Sequence, residues 1–222
     1  MSVRIGVLVS GSGTNLQAIL DAVRDRDLHA QVAVVVSNKP GVKALERASE
    51  AGVPSVVLSH KDFANREAFD AEVVRELRAR DVELVVLAGF MRIVTATLLD
   101  AFPDRVVNIH PSLLPSFPGV DAQGQALRAG VAIAGCTVHL VDGGMDSGAI
   151  LAQAAVPVFA TDDEEMLRVR ILAQEHRLFP QVLQWFAEGL VRIEQDAAGH
   201  KRVHVASESR ATFASAIDAV ES

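Results

Sequence analysis

The stretch Val3-Arg4-Ile5-Gly6-Val7-Leu8-Val9-Ser10-Gly11-Ser12-Gly13-Thr14-Asn15-Leu16 decides the fold. Residues 3–9 are an apolar run of the kind that a strand covered on both faces requires. A glycine-containing loop follows, and then Leu16, Ile19, Leu20 and Val23 recur at helical spacing. Strand, tight loop and helix in that order open a parallel α/β unit. The pattern repeats outward. Residues 32–36, 56–58, 84–88 and 106–109 read as further buried strands, with helices at 42–51 and 66–80 between them. Gly52 and Pro54 close the first of those helices. After Pro118 the pattern changes: residues 136–141 and 149–158 flank the turn-rich segment 142–148, which predicts antiparallel additions. Residues 163–189 read as mostly helical, with an interruption near Pro180. The expected fold is α/β: a Rossmann-like, doubly wound, mainly parallel sheet with antiparallel strands in its C-terminal half. Residues 1–199 read as a single domain and residues 200–222 as a peripheral tail.

Half of the 222 residues are apolar, enough for a large core without disulfides or metals. A formal charge of -7 is the wrong sign for gripping a phosphate backbone, so no nucleic-acid partner is expected. Cys136 is the only cysteine, which excludes an intrachain disulfide and a cysteine-based metal site; its apolar neighbours mark it as a core residue. The N-terminus runs straight into strand pattern without a signal peptide, and no apolar run is long enough to span a bilayer. The expectation is a cytoplasmic protein with small-molecule partners and no membrane partner, as a monomer or a homodimer.

The loop Ser10-Gly11-Ser12-Gly13-Thr14-Asn15 can bring backbone N–H groups and a helix N-terminus onto an anion. Thr14 and Asn15 add helix-capping capacity. The third glycine of a dinucleotide fingerprint is replaced by Leu16, and the Gly-Lys-Ser/Thr of a triphosphate loop is missing. Two readings stay open, a tight βα turn and a site for a phosphorylated small molecule.

Asn108 and His110 are two apart on the strand that ends at Pro111, so they share a face. The C-terminal end of a parallel strand is where α/β sheets build active sites. Pro111, Pro115 and Pro118 stiffen the exit, and any of the three could follow a cis bond. A histidine and an asparagine bonded to loop backbone would be the bland reading. Two polar groups on one face of an apolar strand favour chemistry, because burying both is costly. Asp146, in a glycine-rich loop, reads from pattern alone as a turn former.

The segments Gly11-Ser12-Gly13-Thr14-Asn15-Leu16, Ala88-Gly89-Phe90-Met91-Arg92-Ile93, Asn108-Ile109-His110-Pro111-Ser112-Leu113-Leu114-Pro115 and Asp146-Ser147-Gly148 occur in this order at family-like spacing. Together they resemble the folate-dependent formyltransferases. The glycine loop and Gln174-Glu175-His176 narrow the resemblance to the phosphoribosylglycinamide formyltransferase (glycinamide ribonucleotide transformylase) branch, over about residues 3–189. The resemblance implies formyl transfer from 10-formyltetrahydrofolate to the amine of a glycinamide ribonucleotide, without a metal. It implies a catalytic trio of Asn108, His110 and Asp146. It also implies folate contacts at Arg66, Met91, Arg92, Ile93, Val94 and Asn108, and ribonucleotide contacts at Gly13, Thr14, Asn15 and Glu175. Attack of an amine on a formyl carbon makes an oxyanion, which Asn108 and a protonated His110 could bind as hydrogen-bond donors. Asp146 beside His110 would favour the imidazolium and assist proton transfer.

Some positions depart from the family pattern. Gln123 and Gly124 fall where many relatives carry a histidine, and Leu172 where some carry a longer polar residue. Arg168 or Arg170 could compensate for Leu172, although helical surface charge is the simpler role for both. His139 reads as a packing or support residue. Among rival functions, initiator-tRNA formylation is not expected, because such enzymes usually add a C-terminal RNA-binding domain for which this acidic chain has no room. Formyltetrahydrofolate hydrolysis is not expected, because that family normally has an N-terminal regulatory domain and the first strand here starts at Val3. A non-catalytic binding module would not need all three of Asn108, His110 and Asp146.

Overall fold

A computed structural model gives the structure of residues 2–197 and 199–206. The apolar runs become strands β1 (Val3–Val9), β2 (Ala30–Ser37), β3 (Ser55–Val57), β4 (Leu84–Leu87) and β5 (Val106–His110), paired in parallel in the spatial order β3-β2-β1-β4-β5. Two antiparallel strands, β6 (Ile133–Leu140) and β7 (Ile150–Pro157), complete the sheet beyond β5. The sheet is thus the mixed, mainly parallel one expected, with antiparallel additions in the C-terminal half.

Helices cover both faces. Helices α1 (Thr14–Arg24), α2 (Lys43–Glu50), α5 (Ala122–Ala129) and α6 (Glu164–Ala187) pack on one face. Helices α3 (Arg66–Arg78) and α4 (Ala96–Ala101) pack on the other. Burial alternates along β5 accordingly: Val107 and Ile109 point into the α1/α6 core, and Val106 into the α3/α4 core. Each face is a separate apolar cluster, so β1 and β4 are buried on both sides, which is why they read as continuous Val/Ile/Leu runs.

Helix α6 corrects the expected interruption near Pro180. It runs unbroken for 24 residues with Pro180 inside it. A proline removes one backbone hydrogen bond and crowds the preceding turn. Phe179, Val182, Leu183, Trp185 and Phe186 are all buried around that point, so core packing holds both halves in line. Asp163 caps the helix by accepting from Met166 N–H at 2.8 Å, and Glu164 and Glu165 lie on the positive end of its dipole.

Strand β8 (Val191–Gln195) pairs antiparallel with β9 (Lys201–Val205), whose Val203 is buried against the main core. This hairpin reaches into the stretch expected to be a peripheral tail; residues 207–222 of that stretch lie outside the described residues. Among the described residues, no helix is long and apolar enough to cross a membrane.

The strand order reverses between β1 and β4, and the loops leaving those strands diverge to opposite faces. A crevice at such a switch point is where doubly wound sheets bind ligands. The loop after β1 contains the two glycines, the loop after β4 contains Gly89 to Val94, and β5 alongside ends at His110.

Candidate active site

Gly13 enters α1 in the left-handed region, at φ 69°. A Cβ there would stand 2.6 Å from Ala44 Cβ and 2.7 Å from Ala44 Cα, so conformation and packing against α2 both require glycine. The capping expected of Thr14 and Asn15 is not made, since no side chain caps α1. Its first-turn N–H groups therefore border a cavity of about 260 Å³, lined among others by Ser10, Gly13, Thr14, Asn15, Lys39 and Met91. Unpaired N–H groups at a helix start, with a lysine opposite, suit an anion.

Asn15 instead turns its amide to the middle of α6. Its Nδ2 donates to Glu175 Oε2 at 2.7 Å, across 160 residues of sequence. Its Oδ1 is buried without a hydrogen-bond partner among the described residues. Burial pushes the Glu175 carboxyl above its ordinary pKa, against the Asn15 bond and the charges of His110 and Arg168. The structure thus joins directly two residues that the resemblance assigned to one ligand.

On β5, Asn108 lies opposite His139 of β6 and His110 opposite Thr137. Asn108 Nδ2 lies 3.2 Å from His139 Nε2, and His139 Nδ1 lies 2.8 Å from the Leu140 carbonyl. A carbonyl only accepts, so Nδ1 carries the hydrogen and Nε2 accepts from the asparagine amide. Burial holds the His139 ring below its ordinary pKa, consistent with that neutral form. One amide hydrogen of Asn108 is therefore fixed on His139 and the second remains for a ligand.

His110 is fixed from the other side. Its Nε2 lies 2.9 Å from the Phe117 carbonyl, so Nε2 carries a hydrogen. Its Nδ1 faces Asp146 Oδ2 at 3.4 Å. That oxygen also accepts the Gly119 N–H at 2.8 Å, and Asp146 Oδ1 is 3.7 Å from His139 Nε2. With Nε2 committed, Nδ1 can donate only from an imidazolium, for which the carboxylate is a partner. The gap of 3.4 Å exceeds a close charge-assisted bond, so a ligand oxygen could share the Nδ1 donor. Asp146 itself sits in the left-handed region, which aspartate tolerates.

The proline-rich exit is pinned by hydroxyls. Thr137 Oγ1 donates to the Ser112 carbonyl at 2.6 Å and accepts the Leu114 N–H at 3.0 Å. Of the three prolines, Pro115 follows the cis bond.

The expected folate residues divide between two places. Arg92, Ile93, Val94 and Asn108 line a second cavity, about 100 Å³, together with Phe90, His139 and Asp146. Its walls mix apolar side chains (Phe90, Ile93, Val94) with the polar groups of Arg92, Asn108, His139 and Asp146. Met91, exposed, lines the glycine-loop cavity instead. Arg66 is the exposed first residue of α3 and does not line either cavity. Sequence reading missed Ser10, which donates to Asn38 Oδ1 at 2.6 Å and accepts the Met91 N–H at 2.9 Å, tying the two loops together. It also missed Lys39, whose only signal was its place in the loop after β2.

Gln123 and Gly124 lie in α5, where Gly124 is buried against the Asp121 carboxylate. Leu172 is half-buried on α6. Arg168 pairs with Glu165 at 2.6 Å, and Arg170 pairs with Asp162 at 2.6 Å while covering the Phe159 ring. Both arginines therefore have local partners.

A Rossmann-like sheet with this His–Asp–Asn cluster beside its switch point places the protein among group-transfer enzymes, and the sequence pattern of the formyl transferase family matches residues 3–183: the chain belongs to that family. It is 44% identical over 181 residues to the phosphoribosylglycinamide formyltransferase of Bacillus subtilis, covering 82% of this chain and 93% of that protein. The structure of glycinamide ribonucleotide transformylase 1 from Symbiobacterium toebii matches with a TM-score of 0.89 at 52% identity, over 93% of this chain and 95% of that one. The trifunctional purine biosynthetic protein adenosine-3 of Drosophila melanogaster is 52% identical over 197 residues. That match takes in 88% of this chain and 15% of the length of the larger protein.

Proposed function

We propose that the protein transfers a formyl group from 10-formyltetrahydrofolate to the amine of 5-phosphoribosylglycinamide, in the cytoplasm, as a step of de novo purine biosynthesis. The products are formylglycinamide ribonucleotide and tetrahydrofolate. The observation that carries this reading is the position of the His110–Asp146 pair beside Asn108, next to an anion-ready helix start on one side and the cavity lined by Arg92, Ile93 and Val94 on the other.

The ribonucleotide phosphate is read at Gly13, Thr14 and Asn15, and its sugar at Glu175. The folate is read against Arg92, Ile93, Val94 and Asn108, with Arg66 and Met91 as further contacts from outside that cavity. The amine nitrogen attacks the formyl carbon, and the carbonyl oxygen becomes an oxyanion. The free amide hydrogen of Asn108 and the Nδ1–H of the His110 imidazolium are donors for that charge. As the bond from the formyl carbon to the folate nitrogen breaks, that nitrogen gains a proton and the amine loses one. Asp146 holds the imidazolium and offers a carboxylate for that exchange, directly or through water. Each such contribution is worth about 10²-fold or more in rate.

The test is the acceptor. Transfer should be fast with the ribonucleotide and weak with glycinamide riboside lacking phosphate. Equal rates with both would remove the glycine loop from substrate binding.

A further inference from the structure

Between α3 and the loop after β4 lies a buried carboxylate that the transfer chemistry does not use. Asp70, on α3, is 3% exposed. Its Oδ2 accepts two hydrogen bonds from Thr95, one from the backbone N–H at 2.6 Å and one from the hydroxyl at 2.8 Å. Thr95 stands at the N-cap of α4, where a threonine oxygen ordinarily accepts an N–H of the first turn. No such cap bond is made here, and the hydroxyl hydrogen goes to Asp70 instead. Burial pushes the Asp70 carboxyl above its ordinary pKa, while the two Thr95 bonds and the Arg92 charge act the other way.

The residue beside it holds the same loop. The Arg92 guanidinium lies over the Phe69 ring at 4.8 Å, and Phe69 stacks on Phe90 with centroids 6.5 Å apart. Two consecutive residues of α3 thus grip the loop at Phe90, Arg92 and Thr95. Between those points the loop supplies Ile93 and Val94 to the cavity beside Asn108. Arg66 lies one turn before Asp70 on the same helix face.

We propose that Asp70 is a positioning residue for the formyl donor. By fixing Thr95 it sets where the loop carrying Arg92, Ile93 and Val94 stands relative to the helix carrying Arg66. It acts through Thr95 and Arg92 and touches no substrate. The inference rests on the donor site read above.

Asp70→Ala removes both bonds of the anchor, and Thr95→Val removes the hydroxyl bond while keeping the backbone one. Asp70→Ala should raise KM for 10-formyltetrahydrofolate about tenfold and Thr95→Val about threefold, with kcat and the ribonucleotide KM within about twofold of wild type. Asp70→Asn and Thr95→Ser, which keep an acceptor oxygen and a hydroxyl, should recover most of the loss. Tetrahydrofolate titrated calorimetrically should weaken in parallel. Should Asp70→Ala fail to fold, Thr95→Val carries the test. Equal losses toward both substrates, or an unchanged donor KM in Thr95→Val, would overturn the inference while leaving the function standing. Wild-type protein that binds no tetrahydrofolate would overturn the donor reading and this inference with it.

Discussion

His110 Nδ1 stands 3.4 Å from Asp146 Oδ2 while His110 Nε2 is held by the Phe117 carbonyl, so the ring has one nitrogen for structure and one for chemistry. Asp146→Asn keeps the size of the side chain and removes the charge facing Nδ1. We expect kcat to fall about 10²–10³-fold, with melting temperature and tetrahydrofolate affinity little changed. Rapid-quench kinetics with calorimetric melting checks this. A variant that retains full kcat would take Asp146 out of the chemistry.

The neutral His139 ring supports Asn108, and this support is sensitive to acid. Burial lowers the folded-state pKa of His139 below its ordinary value. The unfolded chain then takes up a proton on this ring before the folded protein does. Its contribution to stability is complete above the ordinary histidine range and declines as pH falls toward the lowered folded value. Protonated Nε2 would also turn from acceptor to donor against the Asn108 amide. Melting temperature should therefore drop between about pH 8 and pH 5, and less steeply in His139→Gln. Parallel profiles for the two proteins would assign the acid sensitivity elsewhere.

Glu175 has the opposite sign. Its folded-state pKa is raised by burial, so its contribution to stability is present below the ordinary carboxyl value and lost as pH rises through the folded one. At neutral pH the charged form is a liability. Glu175→Gln should be more stable than wild type there by about 1–2 kcal/mol, the gap closing on acidification. The same variant should bind the ribonucleotide more weakly. Chemical denaturation at two pH values tests the first half; a gap that widens in acid would contradict it.

Gly13→Ala places a side chain at positive φ and against the Ala44 backbone. It should cost about 1–3 kcal/mol of stability. Ribonucleotide KM should rise while donor KM stays near wild type. An effect confined to the donor would reverse the assignment of the two cavities.

Much of this architecture was legible before any coordinates. Strands β1, β2, β4 and β5 are buried on both faces, and their continuous apolar runs admit little else. Asn108 and His110 could be paired because strand periodicity is local. Helices α4 and α5 were not read: α4 has only six residues, and the small residues and glycine of Ala-Gln-Gly-Gln-Ala-Leu-Arg-Ala give α5 little apolar period. Strand β8 was missed because three of the five residues of Val-Arg-Ile-Glu-Gln are charged or polar. The partners that aim the chemistry were the least visible. Phe117 and Gly119 act through backbone atoms, which carry no side-chain signal. Asp146 reaches His110 only because β6 turns back on β5, and Asn15 meets Glu175 only because α6 packs on α1. Pro180 misled in the other direction, its local rule being overridden by the core around it.

The central claim is that the His110–Asp146 pair moves a formyl group between two bound small molecules. The most direct measurement is a single-turnover balance with 10-formyltetrahydrofolate and 5-phosphoribosylglycinamide, followed by mass spectrometry. The account predicts formylglycinamide ribonucleotide and tetrahydrofolate in equal amounts, with almost no free formate. Formate released at the same rate with and without the acceptor would contradict it.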